Sequence, residues 1–546
     1  MIPPPQRARP AAASCPEGNA YGMRKYKEKD YEWETLDEFL SSADRIPGGQ
    51  RRELDRLYHS HNGNGRVRSA GPDILATEEA VPGALAESYA IPAISFRYHR
   101  ALILTAVLAL LVGLTAWKGL VSWHDFARVR WQVLAAVVPV AVFKAYGWVL
   151  SAFDRPVRVS AAEQAALDRL RVVVVVPVYN EDQAILDRCI WALVNQSRRP
   201  QRVDVVDDGS TTEDYSDLRA HWEGEHQGVE VTWERQPNAG KRRAHCATFR
   251  SDKHADIFVT VDSDTALVHN GLEEGLKPFI DPAVQSVAGI ELGFNASYNF
   301  ITQIQNALQQ LAQVVIGAAW SVTGDMYTNR GPFALYDANM VRELIPLYWG
   351  ETLFGHHVVL GDDSLLALAG SMRGRSVQQL SAFSLTMWPE TVDHHIRQRV
   401  RWASGRAVRN FWRVKYYPLR SYLFWYSVMG IYGFVAGMEV AYEMAAGWPQ
   451  DKKTVGAALL LMAIWSWLSQ VRALCIKREG DTWLDRAIMV LIRPVASLWS
   501  AVMLNRLVRS WGSLTLLEQR WTTRQEGAEP LTESQGTVLL QAGMEG

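Results

Sequence analysis

Two long apolar runs constrain this chain more than any other feature of its sequence. Ala101–Trp117 contains no charged residue, and Val133–Phe153 carries only Lys144. A helix needs about 20 mostly apolar residues to cross a bilayer, and both runs approach that length. We therefore predict a transmembrane helical hairpin over residues 96–155, with a buried hairpin of a soluble protein as the alternative. Lys144 would then either snorkel to the surface or face a polar path between helices.

Two further apolar runs, Leu419–Trp448 and Val455–Cys475, predict a second transmembrane pair within residues 419–478. The next stretch, Leu484–Leu507, has a proline and four charged residues scattered through it: Asp485, Arg486, Arg493, Pro494 and Arg506. Charges in such places oppose a crossing, so we interpret residues 479–524 as an interface helix and a short following segment. The prediction is about four spans, with both termini on one side of the membrane.

Basic residues indicate which side holds the central domain. Residues 394–418 read as an amphipathic interface segment, with cations for headgroups and aromatic side chains for the boundary. Cations also lie at or beyond the end of the fourth span (Arg472, Lys477 and Arg478), whereas the loop before that span has only Lys452 and Lys453. The positive-inside rule therefore places residues 160–417 in the cytosol of a multi-pass plasma-membrane protein. The basic residues around the first predicted hairpin give a less decisive orientation.

Composition argues against some classes of protein and some kinds of site. Lys and Arg number 57 against 58 Asp and Glu, so no global basic field argues for nucleic acid. The four cysteines, at 15, 189, 246 and 475, lie too far apart for a zinc clip or a disulfide framework, as expected of thiols in a reducing compartment. Residues 1–95 read as a mostly disordered cytosolic tail, and residues 525–546 as a second tail.

Residues 160–393 have the pattern of an α/β domain. Arg171–Val178 is a β-branched run typical of a strand buried on both faces, and Asp182–Asn195 is helical in pattern. Short strands follow at Arg202–Val206, Val229–Glu234 and Ile257–Val261, with a helix near Lys241–Ser251 between the last two. This alternation predicts a mostly parallel sheet covered by helices, in which ligands bind beyond the carboxyl ends of the strands.

Three acidic motifs carry the candidate chemistry. Asp207 and Asp208 follow one strand, where carboxylates can accept hydrogen bonds from a uracil ring or ribose, although Asp-Gly is also a common turn. Asp262 and Asp264 follow another strand, with the spacing that lets two carboxylates share Mg²⁺ or Mn²⁺ and a diphosphate. Asp362 and Asp363 form an adjacent pair in which like charge raises one pKa, as a general base requires; an exposed loop or a helix N-cap is the alternative.

Two basic sets complement these carboxylates. Lys241, Arg242 and Arg243 lie at a predicted helix start, where cations and the helix N-terminus attract phosphate. Gln398, Arg401 and Trp402 have the spacing i, i+3 and i+4. One face of a helix would therefore present an amide, a guanidinium and an indole. This face suits a diphosphate and a sugar ring, and a helix that binds only lipid is the alternative.

The order of these motifs resembles that of processive family 2 glycosyltransferases, and in particular of hyaluronan synthases, over about Ala101 to Arg524. The matching segments include the acidic and basic motifs above, Pro177–Glu181 (PVYNE), Gly331–Tyr336 (GPFALY) and Trp521–Arg524 (WTTR). The resemblance implies a nucleotide-diphospho-sugar transferase domain of the GT-A type, inserted between transmembrane helices beside a narrow channel. It also implies a UDP-sugar donor, a growing polysaccharide acceptor and a bilayer as partners.

The resemblance assigns roles by motif. Tyr179, Glu181 and Asp207 or Asp208 would hold uridine; Asp262 and Asp264 would hold the metal and diphosphate. Lys241, Arg242 and Arg401 would offset phosphate charge, with Gln398 on the same face. Asp363 would be the base, beside Asp362. Trp402 would support the acceptor sugar, and Trp521 and Arg524 would close over the nucleotide.

The sequence departs from hyaluronan synthases at two places. Tyr327–Gly331 (YTNRG) has Thr328 and Arg330 where that group has a cysteine and small residues, in a loop that faces the acceptor. The chain also ends soon after Arg524, which leaves a channel built from fewer helices or between the protomers of a homo-oligomer. Hyaluronan is the first expectation for the product. A chitin-like or cellulose-like glycan, a single sugar added to a lipid, and a non-enzymatic transporter or scaffold are the alternatives.

Overall fold

The computed structural model describes residue 89 and residues 91–97, 131–447, 463–469 and 471–516. The first apolar run, most of residues 1–95, the WTTR segment and the final tail lie outside these residues, as do most of the predicted fourth span and the loop before it. The predictions for those segments therefore stay predictions.

A nine-stranded mixed sheet forms the centre of the molecule, in the order β4-β5-β3-β2-β6-β9-β8-β12-β7. Its strands are β2 (Val172–Val178), β3 (Arg202–Asp207), β4 (Gly224–His226), β5 (Val229–Arg235), β6 (Ile257–Val261), β7 (Ala266–Leu267), β8 (Val284–Gly293), β9 (Phe333–Asp337) and β12 (Arg375–Thr386). Strands β5, β3, β2 and β6 are parallel neighbours, as are β8 and β12, whereas β9 runs antiparallel between the two groups. Two small antiparallel pairs complete the set, β1 (Ile94–Phe96) with β13 (Ile476–Arg478) and β10 (Thr352–Leu353) with β11 (His356–His357).

The helices used below are numbered in chain order. They are α1 (Trp131–Ser151), α2 (Ala161–Leu167), α3 (Gln183–Val194), α4 (Ser216–Trp222), α5 (Lys241–Ser251), α6 (Gly271–Leu276), α7 (Phe300–Leu311), α8 (Ala318–Thr323), α9 (Ala338–Gly350), α10 (Asp362–Arg373), α11 (Val392–Tyr416), α12 (Tyr422–Gly447), α13 (Trp483–Leu491), α14 (Arg493–Trp499) and α15 (Arg509–Leu514). A π-helical turn, Ala312–Gly317, joins α7 to α8, and another, Ser500–Val508, joins α14 to α15.

Strand β2 explains why helices cover both faces of the sheet. Its successive side chains point to opposite faces, and all its valines but the last are fully buried. Val172, Val174 and Val176 pack in one apolar cluster with residues of α3, whereas Val173 and Val175 pack in another with residues of α5 and α9. A strand flanked by two cores must be apolar throughout, which is the pattern that its sequence has.

The α/β prediction is confirmed, and most of its boundaries are close. The predicted strand Ile257–Val261 and helix Lys241–Ser251 have the observed bounds, and the other strands shift by one residue at an end. Asp182 caps helix α3, because its side chain accepts hydrogen bonds from the backbone N–H groups of Ala184 and Ile185. The antiparallel β9 and the long β8–β12 pair extend the sheet beyond the region in which we predicted strands.

Helix α11 is joined to the α/β domain by a buried charge cluster around Glu351. The guanidinium of Arg409, on α11, donates to both oxygens of Glu351 at 2.6 and 3.0 Å, and Arg242 of α5 donates to Oε2 at 2.9 Å. Trp412 Nε1 also donates to this carboxylate, at 3.0 Å. Two cations and an indole on one buried anion hold α5, the loop after α9 and α11 in a fixed arrangement.

Replacing Glu351 by Gln should destabilise the protein strongly, because it leaves two buried guanidinium groups without their anion. Removal of one partner from a buried pair costs about 3–5 kcal/mol. The exposed pair Arg219–Glu223 is the control, since Glu223→Gln should cost no more than about 1 kcal/mol. Thermal unfolding of the purified protein measures both. Equal melting temperatures for the two variants would contradict the structural role of Glu351.

The apolar helices of the described residues fall into two groups. Helices α1 and α12, which correspond to predicted spans, pack together through the stacked rings of Phe143 and Tyr422, whose centroids are 5.1 Å apart. Among the described residues, one helical stretch is long and apolar enough to cross a membrane by length and composition, Trp483–Leu514 with 32 residues. The described parts of α1 and α12 are shorter apolar helices, so four spans stay a prediction.

The 32-residue stretch Trp483–Leu514 is the segment in which we predicted an interface helix. Contacts along its length join it to the catalytic domain and to α11. Arg493 Nη1 lies 3.4 Å from the Ala307 carbonyl, Trp499 Nε1 donates to His395, and the Gly512 carbonyl accepts from Ser404 at 2.9 Å. A helix that touches the same domain near its middle and its end fits the interface position, although its composition also permits a crossing.

Candidate active site

The predicted acidic motifs meet at one edge of the sheet. Strands β3 and β6 flank β2 on its two sides, so the chain leaves β2 in one direction and returns on the other. Such a switch point leaves a crevice beyond the carboxyl ends of the strands. Glu181, Asp207 and Asp262 come shortly after or at the ends of these three strands, so the structure brings the PVYNE motif and the first two acidic motifs together.

Asp207 and Asp208 organise the loops of this crevice. Asp207 accepts a hydrogen bond from the Ser210 backbone N–H at 2.8 Å and pairs with Arg235 at 3.4 Å. Asp208 accepts from the backbone N–H groups of Ala239 and Gly240, at 3.0 and 2.8 Å, and so fixes the start of α5. Burial raises the pKa of Asp208, and these donors oppose that rise. Both carboxylates thus already have protein partners, as the turn interpretation of this motif expects.

Glu181 links the PVYNE motif to the Asp262–Asp264 motif. Its buried carboxylate accepts a hydrogen bond from Ser263 Oγ at 2.7 Å, and its backbone N–H donates to the Tyr215 hydroxyl at 2.7 Å. Asn180, with φ 49°, places its side-chain oxygen 2.8 Å from the Thr211 N–H. Tyr179 is half-buried beside them. Sequence reasoning did not single out Ser263 or Tyr215, because a hydroxyl between two aspartates or in a loop carries no motif.

Lys241 lies at the centre of the crevice. Its Nζ is 2.5 Å from Asp262 Oδ1 and 3.6 Å from Asp362 Oδ2, so one ammonium joins the second and third acidic motifs. Burial by itself lowers the pKa of Lys241, but the charges of Asp262 and Asp362 raise it above its ordinary value. Lys241 is therefore a cation at neutral pH, at the place where a diphosphate would need one.

Arg242 does not reach this crevice. Its guanidinium donates to Glu351 at 2.9 Å and to the carbonyls of Tyr348 and Leu360 at 3.1 and 2.9 Å. The helix that directs Lys241 towards Asp262 turns the next residue into the protein interior, because neighbours on a helix point about 100° apart. The structure thus gives Arg242 a place in the buried cluster rather than the expected contact with phosphate.

The adjacent carboxylates Asp362 and Asp363 begin helix α10 and have opposite pKa shifts. Burial raises the pKa of Asp362, but the charges of Lys241 and His245 bring it below its ordinary value. Burial and the charge of Asp362 raise the pKa of Asp363. Asp363 accepts hydrogen bonds from Thr328 Oγ1 at 2.5 Å and from the Ser364 N–H at 2.7 Å. One fixed anion beside one carboxylate of higher proton affinity is the arrangement that acid–base chemistry uses.

The carboxylates at the end of β6 fit a divalent cation that shares its coordination with a substrate. Asp262 has 29% of its side chain exposed, and Asp264 accepts a hydrogen bond from Thr386 Oγ1 at 3.3 Å. In the described part of the chain, no three His, Cys, Asp or Glu side chains form a group that could hold a metal by themselves. Mg²⁺ usually takes one or two carboxylates together with phosphate oxygens, so this pair suits a cation bound with a diphosphate.

The Gln398–Trp402 motif lies on a helix, as predicted, within α11. Gln398 accepts a hydrogen bond from Gln305 Nε2 at 3.1 Å, and Arg401 is half-buried. One face of the Trp402 ring is covered by Arg399, whose guanidinium carbon lies 4.5 Å from the ring centroid. Arg399 was not among the predicted site residues, because the motif assigns no role to its position.

The loop Tyr327–Gly331, which departs from hyaluronan synthases, contacts the site through Thr328. Arg330, with φ 60°, turns inward and donates to the Gly289 carbonyl and to Gln378. A Cβ at Gly331 would lie 3.2 Å from Lys241 Nζ and 3.3 Å from Asp262 Oδ2. The loop therefore packs directly against the Lys241–Asp262 ion pair. Trp521 and Arg524 lie outside the described residues.

The mixed sheet, with carboxylates at its strand ends, is the α/β arrangement that we predicted. Residues 173–344 match the family described as Glycosyl transferase family 2. A hyaluronan synthase of Streptococcus pyogenes is 32% identical over 236 residues, which are 42% of this chain and 56% of that protein. An N-acetylglucosaminyltransferase of Rhizobium leguminosarum bv. viciae is 29% identical over 238 residues, or 54% of its length. The chain thus spans about half the length of these relatives.

Among solved structures, a mannosyltransferase from Pyrobaculum calidifontis in complex with GDP-Man and Mn²⁺ matches with a TM-score of 0.47 and 17% identity, over 68% of this chain and 98% of its own. At that level the similarity carries no argument about substrate or metal. Residues 173–344 thus match glycosyl transferase family 2, and the chain is similar to hyaluronan synthases over 236 residues.

Replacing Gly331 by Ala should impair the reaction, because the added methyl group crowds both members of the Lys241–Asp262 pair. Small displacements of catalytic groups are costly, and we expect roughly a tenfold loss of kcat/KM. Gly350→Ala is the control, since a Cβ there would meet no atom within 4 Å. Steady-state transfer assays measure both variants. Wild-type kinetics for Gly331→Ala would mean that the Lys241–Asp262 pair tolerates a methyl group at this position.

Proposed function

We propose that the protein is a membrane-embedded, processive, inverting glycosyltransferase that builds and exports a β-linked polysaccharide. Its donors would be UDP-sugars, with UDP-GlcNAc and UDP-GlcA as the pair for hyaluronan. The observation that carries the proposal is the position of Lys241, within 2.5 Å of Asp262 and 3.6 Å of Asp362. Lys241 therefore lies between Asp262, which would bind the diphosphate, and the Asp362–Asp363 pair, which would carry out proton transfer.

In the proposed reaction, Asp363 removes the proton from an acceptor hydroxyl as that oxygen attacks C1 of the donor sugar. UDP leaves from the opposite face, so the configuration inverts and the new linkage is β. Lys241 offsets negative charge that grows on the departing diphosphate. Asp362 stays ionised beside Asp363 and keeps the proton affinity of that neighbour high.

Donor binding would use the rest of the crevice. Tyr179, Glu181 and the Asp207–Asp208 turn would border the uridine, and Arg401 would offset phosphate charge. A bound Mg²⁺ or Mn²⁺ would stabilise negative charge on the diphosphate, and Asp262 and Asp264 are the residues that would hold it. Trp402 and Gln398 would meet the acceptor sugar, and Trp521 and Arg524 would cover the nucleotide.

The pairing of β1 with β13 supports the membrane topology that we propose. Strand β1 precedes the predicted first hairpin and β13 follows the predicted second, yet they pair with each other, and Arg478 donates to Gly293 of the central sheet at 2.9 Å. All three therefore lie on one side of the membrane. Each intervening segment must then cross an even number of times or not at all, as two hairpins would. The positive-inside rule makes that side the cytosol of a plasma-membrane protein.

Replacing Thr328 by Val should move the pH dependence of the reaction. The Thr328 hydroxyl stabilises the ionised form of Asp363, so its loss raises the pKa of that carboxyl further. A base must be deprotonated, so kcat/KM falls as the pH drops through this pKa. The acid limb of the profile should thus move to higher pH. Thr323→Val, which removes a hydroxyl bonded to the Trp320 carbonyl, is the control. Superimposable profiles would exclude Thr328 from tuning the base.

The donor and product are tested by offering the purified protein each UDP-sugar singly and in pairs, with Mg²⁺ or Mn²⁺, and digesting the product with linkage-specific hydrolases. We expect polymer only with UDP-GlcNAc plus UDP-GlcA. Asp363→Asn should form no polymer and still bind UDP, because it removes the base and keeps the shape of the side chain. Wild-type turnover in that variant would remove Asp363 from the role of base.

Other outcomes of the donor experiment identify the alternatives. Polymer from one UDP-sugar would indicate a chitin-like or cellulose-like synthase. A single sugar transferred to lipid would indicate a non-processive enzyme. Absence of both UDP binding and transfer would sink the proposed function.

A further inference from the structure

We propose that Arg399 binds the carboxylate of an acidic sugar in the acceptor, and that it thereby selects a uronate-containing glycan over a neutral one. The proposal rests on the proposed function, because it names the acceptor class of the same site. It begins from the state of the Arg399 side chain. Nε and Nη2 of this guanidinium are fully buried and have no hydrogen-bond partner among the described residues.

These two nitrogens form one edge of the guanidinium, the edge from which two parallel N–H groups point the same way. The same edge binds carboxylates elsewhere in this chain. Nε and Nη2 of Arg202 donate to the two oxygens of Asp204, and those of Arg219 donate to the two oxygens of Glu223, at 2.8 and 3.1 Å. Arg399 has this fork but no hydrogen-bonded anion within the part of the chain that the structure describes, so a ligand carboxylate is the group that fits it.

Nearby protein charges do not supply that anion. The pKa of Arg399 is lowered to about 9 by burial and then by the like charge of Arg406, whereas Glu291 opposes the shift. Glu291 itself is hydrogen-bonded to Gln309 Nε2 at 2.6 Å, and the charge that acts on it most is that of Arg330. Burying a guanidinium without a paired anion is costly, and a protein that retains one gains from a ligand that pairs with it.

The position of Arg399 favours the acceptor over the donor diphosphate. Charges of both Asp262 and Asp363 act on Glu291, whereas the charges that act on Arg399 are those of Arg406 and Glu291. Arg399 lies on α11, three residues before Trp402. It also stacks on Trp402, the proposed support of the acceptor sugar. A carboxylate bound here would belong to a sugar next to the reacting one.

The test compares Arg399→Met, which keeps the apolar stem and removes the fork, with Arg399→Lys, which keeps a charge. Arg397→Met is the matched control, because Arg397 lies on the same helix and pairs only at the surface, with Asp393 at 2.8 Å. Two β-linked oligosaccharides of equal length serve as acceptor probes, one with alternating uronate and one neutral. KM and kcat are measured for each, and UDP binding is measured by calorimetry.

We expect Arg399→Met to raise KM for the acidic oligosaccharide roughly tenfold or more, as for a lost pair of charge-assisted hydrogen bonds. Its kcat, its KM for the neutral oligosaccharide and its UDP affinity should match those of the control. Arg399→Lys should lie between the control and Arg399→Met, because an ammonium cannot bind both oxygens in one plane.

Three outcomes would overturn the proposal. Equal losses with both oligosaccharides would mean that Arg399 only supports Trp402. Weaker UDP binding would assign the guanidinium to the donor diphosphate instead. Unchanged kinetics with both oligosaccharides would mean that Arg399 binds neither of them. If the wild-type protein transfers no sugar at all, the proposed function fails, yet direct calorimetric binding of the two oligosaccharides to wild type and Arg399→Met still decides the role of Arg399.

Discussion

The buried carboxylate of Glu351 determines how the rest of the site is put together. It is bound by Arg242 from α5 and by Arg409 and Trp412 from α11, and all three donors lie within 3.0 Å. Helix α5 also carries Lys241, and α11 also carries Gln398, Arg399 and Trp402. One anion thus sets the distance between the helix proposed to meet the phosphates and the helix proposed to meet the sugar chain. Because ion pairs of this kind have strict geometry, the two halves of the site keep a fixed spacing.

The fold of the transferase domain could be predicted from the sequence because its central strands are buried on both faces. An apolar run such as Val172–Val178 leaves few alternatives, and carboxylates directly after such strands must meet at the sheet edge. The antiparallel strand β9 was not predicted, since its short apolar sequence has no pattern that distinguishes direction. The membrane topology and the WTTR segment remain predictions, because they depend on residues outside those that the structure describes.

Individual side chains were harder to predict than elements. Lys241 and Arg242 are neighbours with the same charge, and only the rotation of α5 sends one to Asp262 and the other to Glu351. Asp208 carries an acidic motif and serves the loop before α5, a role that depends on where the N–H groups of residues 239 and 240 happen to point. Thr328 was noted only as a departure from relatives, yet its hydroxyl meets the proposed base. Contacts between residues distant in sequence decide such roles, and sequence spacing does not record them.

The stretch Trp483–Leu514 has a consequence for where the sugar chain is made. Its 32 residues extend for about 48 Å, well beyond the roughly 30 Å of a hydrocarbon core. Large apolar side chains are exposed along it, from Trp483 at 79% through Leu491 at 66% to Trp511 at 62%. A helix of this kind, docked on the transferase domain and lying in the headgroup layer, would hold the catalytic crevice at the lipid surface. A newly lengthened chain would then start its exit at the depth of the headgroups, with no stretch of open cytosol to traverse first.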